Sequence, residues 1–415
     1  MIKTLTLAAA VSAALAFQVQ AQDKPKPPPA WKQGMPERLK DSKLAPHPGK
    51  MTETPASEIP ISKLKLPRGF KAEIWATGLP GGRAMALSQD GKKVYVGTRA
   101  IGRVYEVTDE GSKRTVRTVV DKLTQPAGVA LNGDDLYVFA IDKVLRFDGI
   151  VGNAGAQAVD MTEKFELPKE QHHNWKYVAF GPDKKLYVPF GAPCNICEPP
   201  SNEYAQIRRY NADGSGKEVI ATGVRNTQGF DWHPKTKEMW FTDHGRDWAG
   251  DKGFEDELNR LAKAGANFGF PYCHAGGRPD PDVKKADACK GVTRPVTVMG
   301  PHAAVMGIKF YTGKMFPAEY QNVAFVARKG SWNREEPMGF DVVTVRAGAD
   351  GKGAKIRPFI TGFNESKDSY KFWGRPAYIA QMPDGALLLS DEQNGAIYRI
   401  SYAKAAAGAA KGAKK

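Results

Sequence analysis

Five short segments of this 415-residue chain hold the side chains that could do chemistry. They are His172-His173-Asn174-Trp175, Arg225-Asn226-Thr227-Gln228-Gly229, Asp243-His244-Gly245-Arg246-Asp247, Arg328-Lys329-Gly330 and Gly374-Arg375-Pro376. A histidine, with an ordinary pKa near 6.5, suits proton abstraction at neutral pH. Guanidinium forks suit bidentate contact with carboxylates, and fixed Arg or Asn donors stabilise negative charge that develops on a reacting oxygen. Any one of these segments alone reads as a solvated loop. Their recurrence beside the same kind of hairpin singles them out.

Those hairpins are the elements that must position them. Six times an apolar run meets a tight turn and then a second, alternating run. The first runs are Ala84–Leu87, Gly128–Leu131, Tyr177–Phe180, Gly229–Trp232, Gly307–Phe310 and Tyr378–Ala380. Their partners are Val94–Val96, Leu136–Val138, Leu186–Val188, Met239–Phe241, Val323–Val326 and Leu387–Leu389. Several units add a further strand, such as Arg103–Val107 or Ala396–Ile400. Short repeated strands with Gly, Pro and Asp turns predict an all-β, six-bladed β-propeller with loop insertions over residues 61–402. The alternative is a β-sandwich or two β-domains, which would not need the same hairpin in both halves. One helical insertion is expected in the fourth unit, from Glu255 to Ala264, with Asp256 and Glu257 either capping its start or orienting the loop. In a propeller, loops from one face converge on the central channel, so the five segments are expected to meet there.

The ends of the chain read differently. Lys3, the apolar run Leu5–Phe17 and Val19-Gln20-Ala21 form a secretory signal over residues 1–21, which places the expected product in the periplasm. Residues 22–60 carry nine prolines and no periodicity, a proline-rich leader or linker. Residues 403–415 are an Ala/Lys-rich tail. No other apolar run is long enough to cross a bilayer, so no transmembrane segment is expected. In an exported chain, Cys194, Cys197, Cys273 and Cys289 are expected as disulfides; of three possible pairings the two local ones are simplest. A zinc site would need all four to converge. Glu198 stands where covalent haem attachment needs a histidine, so no c-type haem is expected. The net charge of +15 falls to about +8 for residues 61–402, without a dense basic run, and nucleic acid is not an expected partner.

His173 with Phe180-Gly181-Pro182-Asp183, Arg225-Asn226-Thr227-Gln228-Gly229-Phe230, Asp256-Glu257-Leu258-Asn259 and Gly265-Ala266-Asn267-Phe268-Gly269-Phe270-Pro271 resemble the soluble quinoprotein glucose/sorbosone dehydrogenases. Gly374-Arg375-Pro376, Pro383-Asp384-Gly385 and Ala396-Ile397-Tyr398-Arg399 extend the likeness, in order, over about residues 65–402. The segment Gly191–Cys197 looks closer to the sorbosone-dehydrogenase-like branch. The resemblance implies pyrroloquinoline quinone (PQQ) and Ca2+ as cofactors, and oxidation of a sugar or sugar-derived alcohol or aldehyde. An external acceptor, a cytochrome or the quinone pool, would take the electrons. It implies His173 as general base, with His172 as its competitor, and Arg225 and Asn226 at the quinone oxygens. Arg328, Lys329 and Arg375 would meet cofactor carboxylates, with the choice between Arg328 and Lys329 open. Backbone carbonyls of Gly245 and Arg246 would hold calcium, although the glucose enzymes have proline in place of Arg246 and lack a carboxylate at Asp247. Trp175, His302 and Trp332 are candidate substrate contacts on channel loops. Two other readings are a lactonase-type metal-dependent hydrolase, which needs carboxylate and Asn ligands around the axis, and a non-catalytic binding propeller.

Overall fold

The computed structural model describes residues 51–403 apart from 169, 171 and 367. The expected signal sequence, most of the leader and residues 404–415 lie outside the described residues. Within them the chain forms six small sheets, antiparallel except for one short parallel pair in the third (Ala221–Thr222 with Ala266–Asn267), arranged as a six-bladed β-propeller. Each expected hairpin supplies the inner two strands of one blade. The inner strands are Gly82–Leu87, Gly128–Asn132, Ala179–Phe180, Thr227–Trp232, Val305–Phe310 and Pro376–Gln381, in blades I to VI. The outermost strand of blade VI is Phe70–Ala76, from the opposite end of the chain, paired antiparallel with Ala396–Tyr402. This pairing closes the ring and leaves no open sheet edge between its first and last blades.

Inner strands must approach closely around the axis, and that need selects glycine. A Cβ on Gly229 would lie 2.6 Å from the Met306 carbonyl and 2.8 Å from Gly307 Cα in the next blade. Gly229→Ala is therefore expected to cost about 1–3 kcal/mol through overpacking. A denaturant melt of the variant checks this, and an unshifted midpoint would contradict the close approach. Lower in the channel the Tyr177 and Tyr378 rings stack at 5.4 Å, joining opposite blades III and VI.

Glu255–Leu261 is a strand, not the expected helix; it is the third strand of blade IV, beside Met239–Asp243. Local sequence favours a helix start here, but the open edge of the blade offers a full ladder of hydrogen bonds. The acidic side chains that suggested a cap are buried instead and bind backbone amides. Asp256 accepts Gly245 N at 3.0 Å and Val305 N at 3.2 Å, and Glu257 accepts Ala275 N at 2.6 Å. Burial raises the Asp256 carboxyl to about 8 and Glu257 to about 7.

The described end of the leader packs on the ring. Thr52 and Thr54 amides donate to the carbonyls of Gln393 and Asn394, and Ile59 is buried. Both disulfides are the local ones, Cys194–Cys197 and Cys273–Cys289. The second braces an insertion between the third and outer strands of blade IV.

Candidate active site

Antiparallel pairing puts the start of each inner strand and the end of its partner at the same mouth of the channel. Gly82 pairs with Thr98, Thr227 with Asp243, Val305 with Arg328 and Pro376 with Asp391. Residues just before an inner strand or just after its partner therefore gather there. A buried aspartate fixes the entering loop in two blades. Asp243 accepts the amides of Arg225 and Asn226, both at 2.8 Å, and the Thr227 hydroxyl at 3.0 Å. Asp391 accepts the Arg375 amide at 2.9 Å in the same way.

His173 sits in the left-handed backbone region, at φ 54°, with its ring buried. Such a conformation costs a non-glycine residue on the order of 1 kcal/mol and persists only where the surroundings enforce it. Gly191 makes room for it: a Cβ there would lie 2.5 Å from His173 Cβ and 3.0 Å from the Arg225 carbonyl, so only glycine fits between the two loops. The Nδ1–H of His173 donates to the Ala192 carbonyl at 3.0 Å, an assignment made from the acceptor, which leaves the Nε2 lone pair for chemistry. Burial, then His172 and Arg225, hold its pKa well below 6.5. His173 is thus a neutral, tautomer-fixed base. His172 packs against it at 3.9 Å between rings, also neutral, pushed by burial to about 4.

Arg225 and Asn226 are fixed by separate networks. Arg225 donates Nε to the Asn195 carbonyl and Nη2 to Asn195 Oδ1, each at 2.8 Å, and Nη2 also to Asp247 at 2.9 Å. Asn226 Nδ2 donates to His244 Nδ1 at 3.1 Å, while the opposite nitrogen of His244 donates to the Val305 carbonyl at 2.6 Å. Gln228 donates to Asn226 Oδ1 at 2.5 Å. The tautomer of His244 thereby decides which way the Asn226 amide points.

Lys329 and Arg328 part company because successive residues on a strand point to opposite faces. Arg328 turns into blade V, where it forms a fork with Asp341 at 2.7 and 2.6 Å. Lys329 turns to the channel and meets Glu392 at 3.2 Å. Around Glu392 stand Arg83, at 3.4 Å, and Arg375, whose Nη2 donates to the Gly330 carbonyl at 2.8 Å. Arg99 lies 3.7 Å above the Trp175 ring, and that ring is 5.7 Å from His173. Burial raises the Glu392 carboxyl, yet Arg83, Lys329, Arg375 and Arg99 more than offset it and bring it down to about 2. Burial, with Arg83, Arg375 and Arg99, holds Lys329 well below its usual value despite Glu392.

Arg83, Arg99, Glu392 and Asn195 escaped the sequence reading. One signal was present for Arg83: Gly82-Arg83-Ala84 enters the first unit as Gly374-Arg375-Pro376 enters the sixth. Of the remaining candidates, His302 is buried at the rim and pushed by burial to about 4, and Trp332 packs on Trp248 at 4.9 Å. Neither has a described contact with His173 or the cationic group. Gly245 and Arg246 lie on the same mouth, between His244 and Asp247, with the Arg246 side chain clamped by Asp280 at 2.9 and 2.8 Å. Among the described residues no cluster of three or more His, Cys, Asp or Glu side chains is arranged to hold a metal.

The fold and this mouth define a six-bladed propeller with a buried neutral histidine beside a cationic cradle. A family model described as glucose/sorbosone dehydrogenase matches residues 156–331, a span holding His173, Arg225, Asn226 and Lys329. The chain belongs to the glucose/sorbosone dehydrogenase family. An uncharacterized protein of Borreliella burgdorferi is 33% identical over 364 residues, covering 85% of this chain and 94% of that protein. The calcium structure of a Trichoderma reesei carbohydrate-active enzyme of family AA12 is similar in fold, with TM-score 0.67, 19% identity, and coverage of 82% of this chain and 97% of that one. The holo pyranose dehydrogenase PQQ domain from Coprinopsis cinerea gives TM-score 0.67 at 18% identity, over 81% and 97% of the two chains. The apo soluble aldose sugar dehydrogenase of Escherichia coli gives 0.56 at 16%, over 80% and 100%.

Proposed function

We propose that this chain is a quinoprotein dehydrogenase that oxidises a sugar, or a sugar-derived alcohol or aldehyde, with PQQ as hydride acceptor. The observation that carries this reading is the charge at the mouth. The four arginines Arg83, Arg99, Arg225 and Arg375 outnumber Glu392 and Asp247, and Lys329 adds a fifth cation when protonated, beside a histidine whose Nε2 is a free base. A planar tricarboxylate carries the complementary charge, and buried Arg83 keeps Nη1 without a hydrogen-bond partner among the described residues. The cradle therefore fits the cofactor, and it does not resemble the carboxylate-lined axis a metal-dependent lactonase needs.

In this reading Arg83, Lys329 and Arg375 hold the carboxylates, and Arg225 with Asn226 faces the quinone oxygens. Bound PQQ supplies a two-electron acceptor for hydride. His173 Nε2 takes the substrate hydroxyl proton, so the departing hydride leaves a neutral carbonyl behind. Fixed donors on Arg225 and Asn226 stabilise the accompanying negative charge without reorganising. Calcium would be held by the carbonyls of Gly245 and Arg246, with the Asp247 carboxylate nearby, a hard-oxygen set. Trp175, beside His173, is the aromatic group best situated for a sugar face. Two formed disulfides and the signal-like residues 1–21 support export to the periplasm. The electrons would pass to a separate acceptor, and the Gly191–Cys197 segment favours the sorbosone-like branch.

The test is reconstitution. Purified protein, supplied with PQQ and calcium, is expected to bind PQQ and reduce an electron-accepting dye with some member of a panel of aldoses, polyols and aldehydes. No PQQ binding and no dye reduction would defeat the proposal.

A further inference from the structure

We propose that Asn195 is a positioning residue for Arg225, held in place by the Cys194–Cys197 disulfide that flanks it. The inference rests on the dehydrogenase reading above, in which Arg225 meets the reacting quinone oxygens.

Asn195 is fully buried, and it presents two acceptors to one edge of one guanidinium. Its carbonyl takes Arg225 Nε and its Oδ1 takes Nη2, each at 2.8 Å. The same Oδ1 accepts the Asp247 amide at 2.8 Å, so two donors fix the orientation of the side-chain amide. This is fork-to-fork recognition of the kind carboxylates give arginine, made here by a neutral residue. A neutral acceptor orients the guanidinium without cancelling its charge, and Nη1 is left outside the fork. Among the described residues, Asp247 is then the one carboxylate paired with the Arg225 side chain, at 2.9 Å.

The disulfide explains how so short a loop keeps this geometry. Cys194 and Cys197 are three positions apart, so the bridge closes a four-residue loop around Asn195, and Cys194 itself is buried. Two residues ahead of the bridged loop, the Ala192 carbonyl holds His173 Nδ1 at 3.0 Å and its amide donates to the Arg225 carbonyl at 2.8 Å. The cross-linked loop and the residues leading into it thus meet both the base and the charge-stabilising group. Among the described residues neither cysteine has a hydrogen bond or ion pair with His173 or Arg225; the effect of the bridge passes through Asn195.

The test compares wild type, Asn195→Ala and Asn195→Asp, each full-length and loaded with PQQ and calcium, reading kcat, sugar KM, the absorption band of bound PQQ and thermal stability. Asn195→Ala is expected to lower kcat at least tenfold, change KM less than threefold and shift the PQQ band. Asn195→Asp keeps both acceptors and adds a charge; normal melting with kcat lowered at least fivefold is expected. If Asn195→Ala folds with wild-type kcat and a wild-type band, or if its activity falls only in proportion to its unfolded fraction, the positioning role is overturned. If Asn195→Ala does not fold, Asn195→Ser, whose shorter side chain cannot keep the Oδ1 contact to Nη2, takes its place, and wild-type kcat with a wild-type PQQ band in that variant overturns it. A wild type that binds no PQQ would instead overturn the dehydrogenase reading and, with it, this one.

Discussion

Replacing His173 with alanine is expected to lower kcat by about 10²–10⁴-fold, the usual contribution of a positioned general base. PQQ affinity is expected to stay within a few-fold of wild type, because the carboxylate-holding cations come from blades I, V and VI. Single-turnover dye reduction beside a PQQ titration separates the two. The pH dependence follows from the same geometry. Burial, His172 and Arg225 lower the His173 pKa, so its base form persists below pH 6.5. Activity should then be flat through neutrality and fall only on acidification through the depressed value. A loss of less than tenfold in the variant would remove His173 from the proton-transfer role. The neighbouring His172 would then be the group to examine, since its ring lies 3.9 Å away.

Lys329→Met is expected to weaken PQQ binding by about 10²-fold, equivalent to the 2–3 kcal/mol of a hydrogen bond between charged partners. Arg328→Met should leave affinity near wild type, because Asp341 already engages that guanidinium. The contrast between two adjacent residues makes the test sharp. Binding should also take up a proton. In the free protein, burial and three neighbouring arginines lower the Lys329 pKa, and an arriving tricarboxylate raises it again. Affinity should therefore be full at pH below the free-state value and decline as pH rises toward the bound-state value. Calorimetry in buffers of different ionisation enthalpy reads the proton directly. Equal affinity losses in both variants would contradict the opposed orientations of the two side chains.

Glu392 gives the cradle its second property. Packing several like charges into a buried mouth costs free energy, and a carboxylate among them offsets part of it while no ligand is bound. That carboxylate comes from the end of the second strand in blade VI, and the Asp391 beside it anchors Arg375. Two adjacent acids thus serve cations from three blades, one through charge and one through the backbone.

The repeat was legible in the sequence because each blade repeats a local signal: an apolar run, a turn with Gly, Pro or Asp, and an alternating strand. His173, Arg225, Asn226, Lys329 and Arg375 stood out because each lies beside such a hairpin at its functional end. Glu255–Leu261 was misread because local propensity favoured a helix, whereas the strand's reward is a ladder to Met239–Asp243 that no local window contains. Arg83, Arg99 and Glu392 were hidden for a related reason. A buried ion cluster is assembled from residues 83, 99, 329, 375 and 392, brought together only when Phe70–Ala76 closes the ring on Ala396–Tyr402. By itself, then, the sequence determined the blades and the residue types at the mouth, and left three cysteine pairings of which the structure forms the two local bridges. The tertiary structure alone decided which face each side chain took, as with Arg328 and Lys329, and which charges share a buried volume, because both depend on contacts between distant strands.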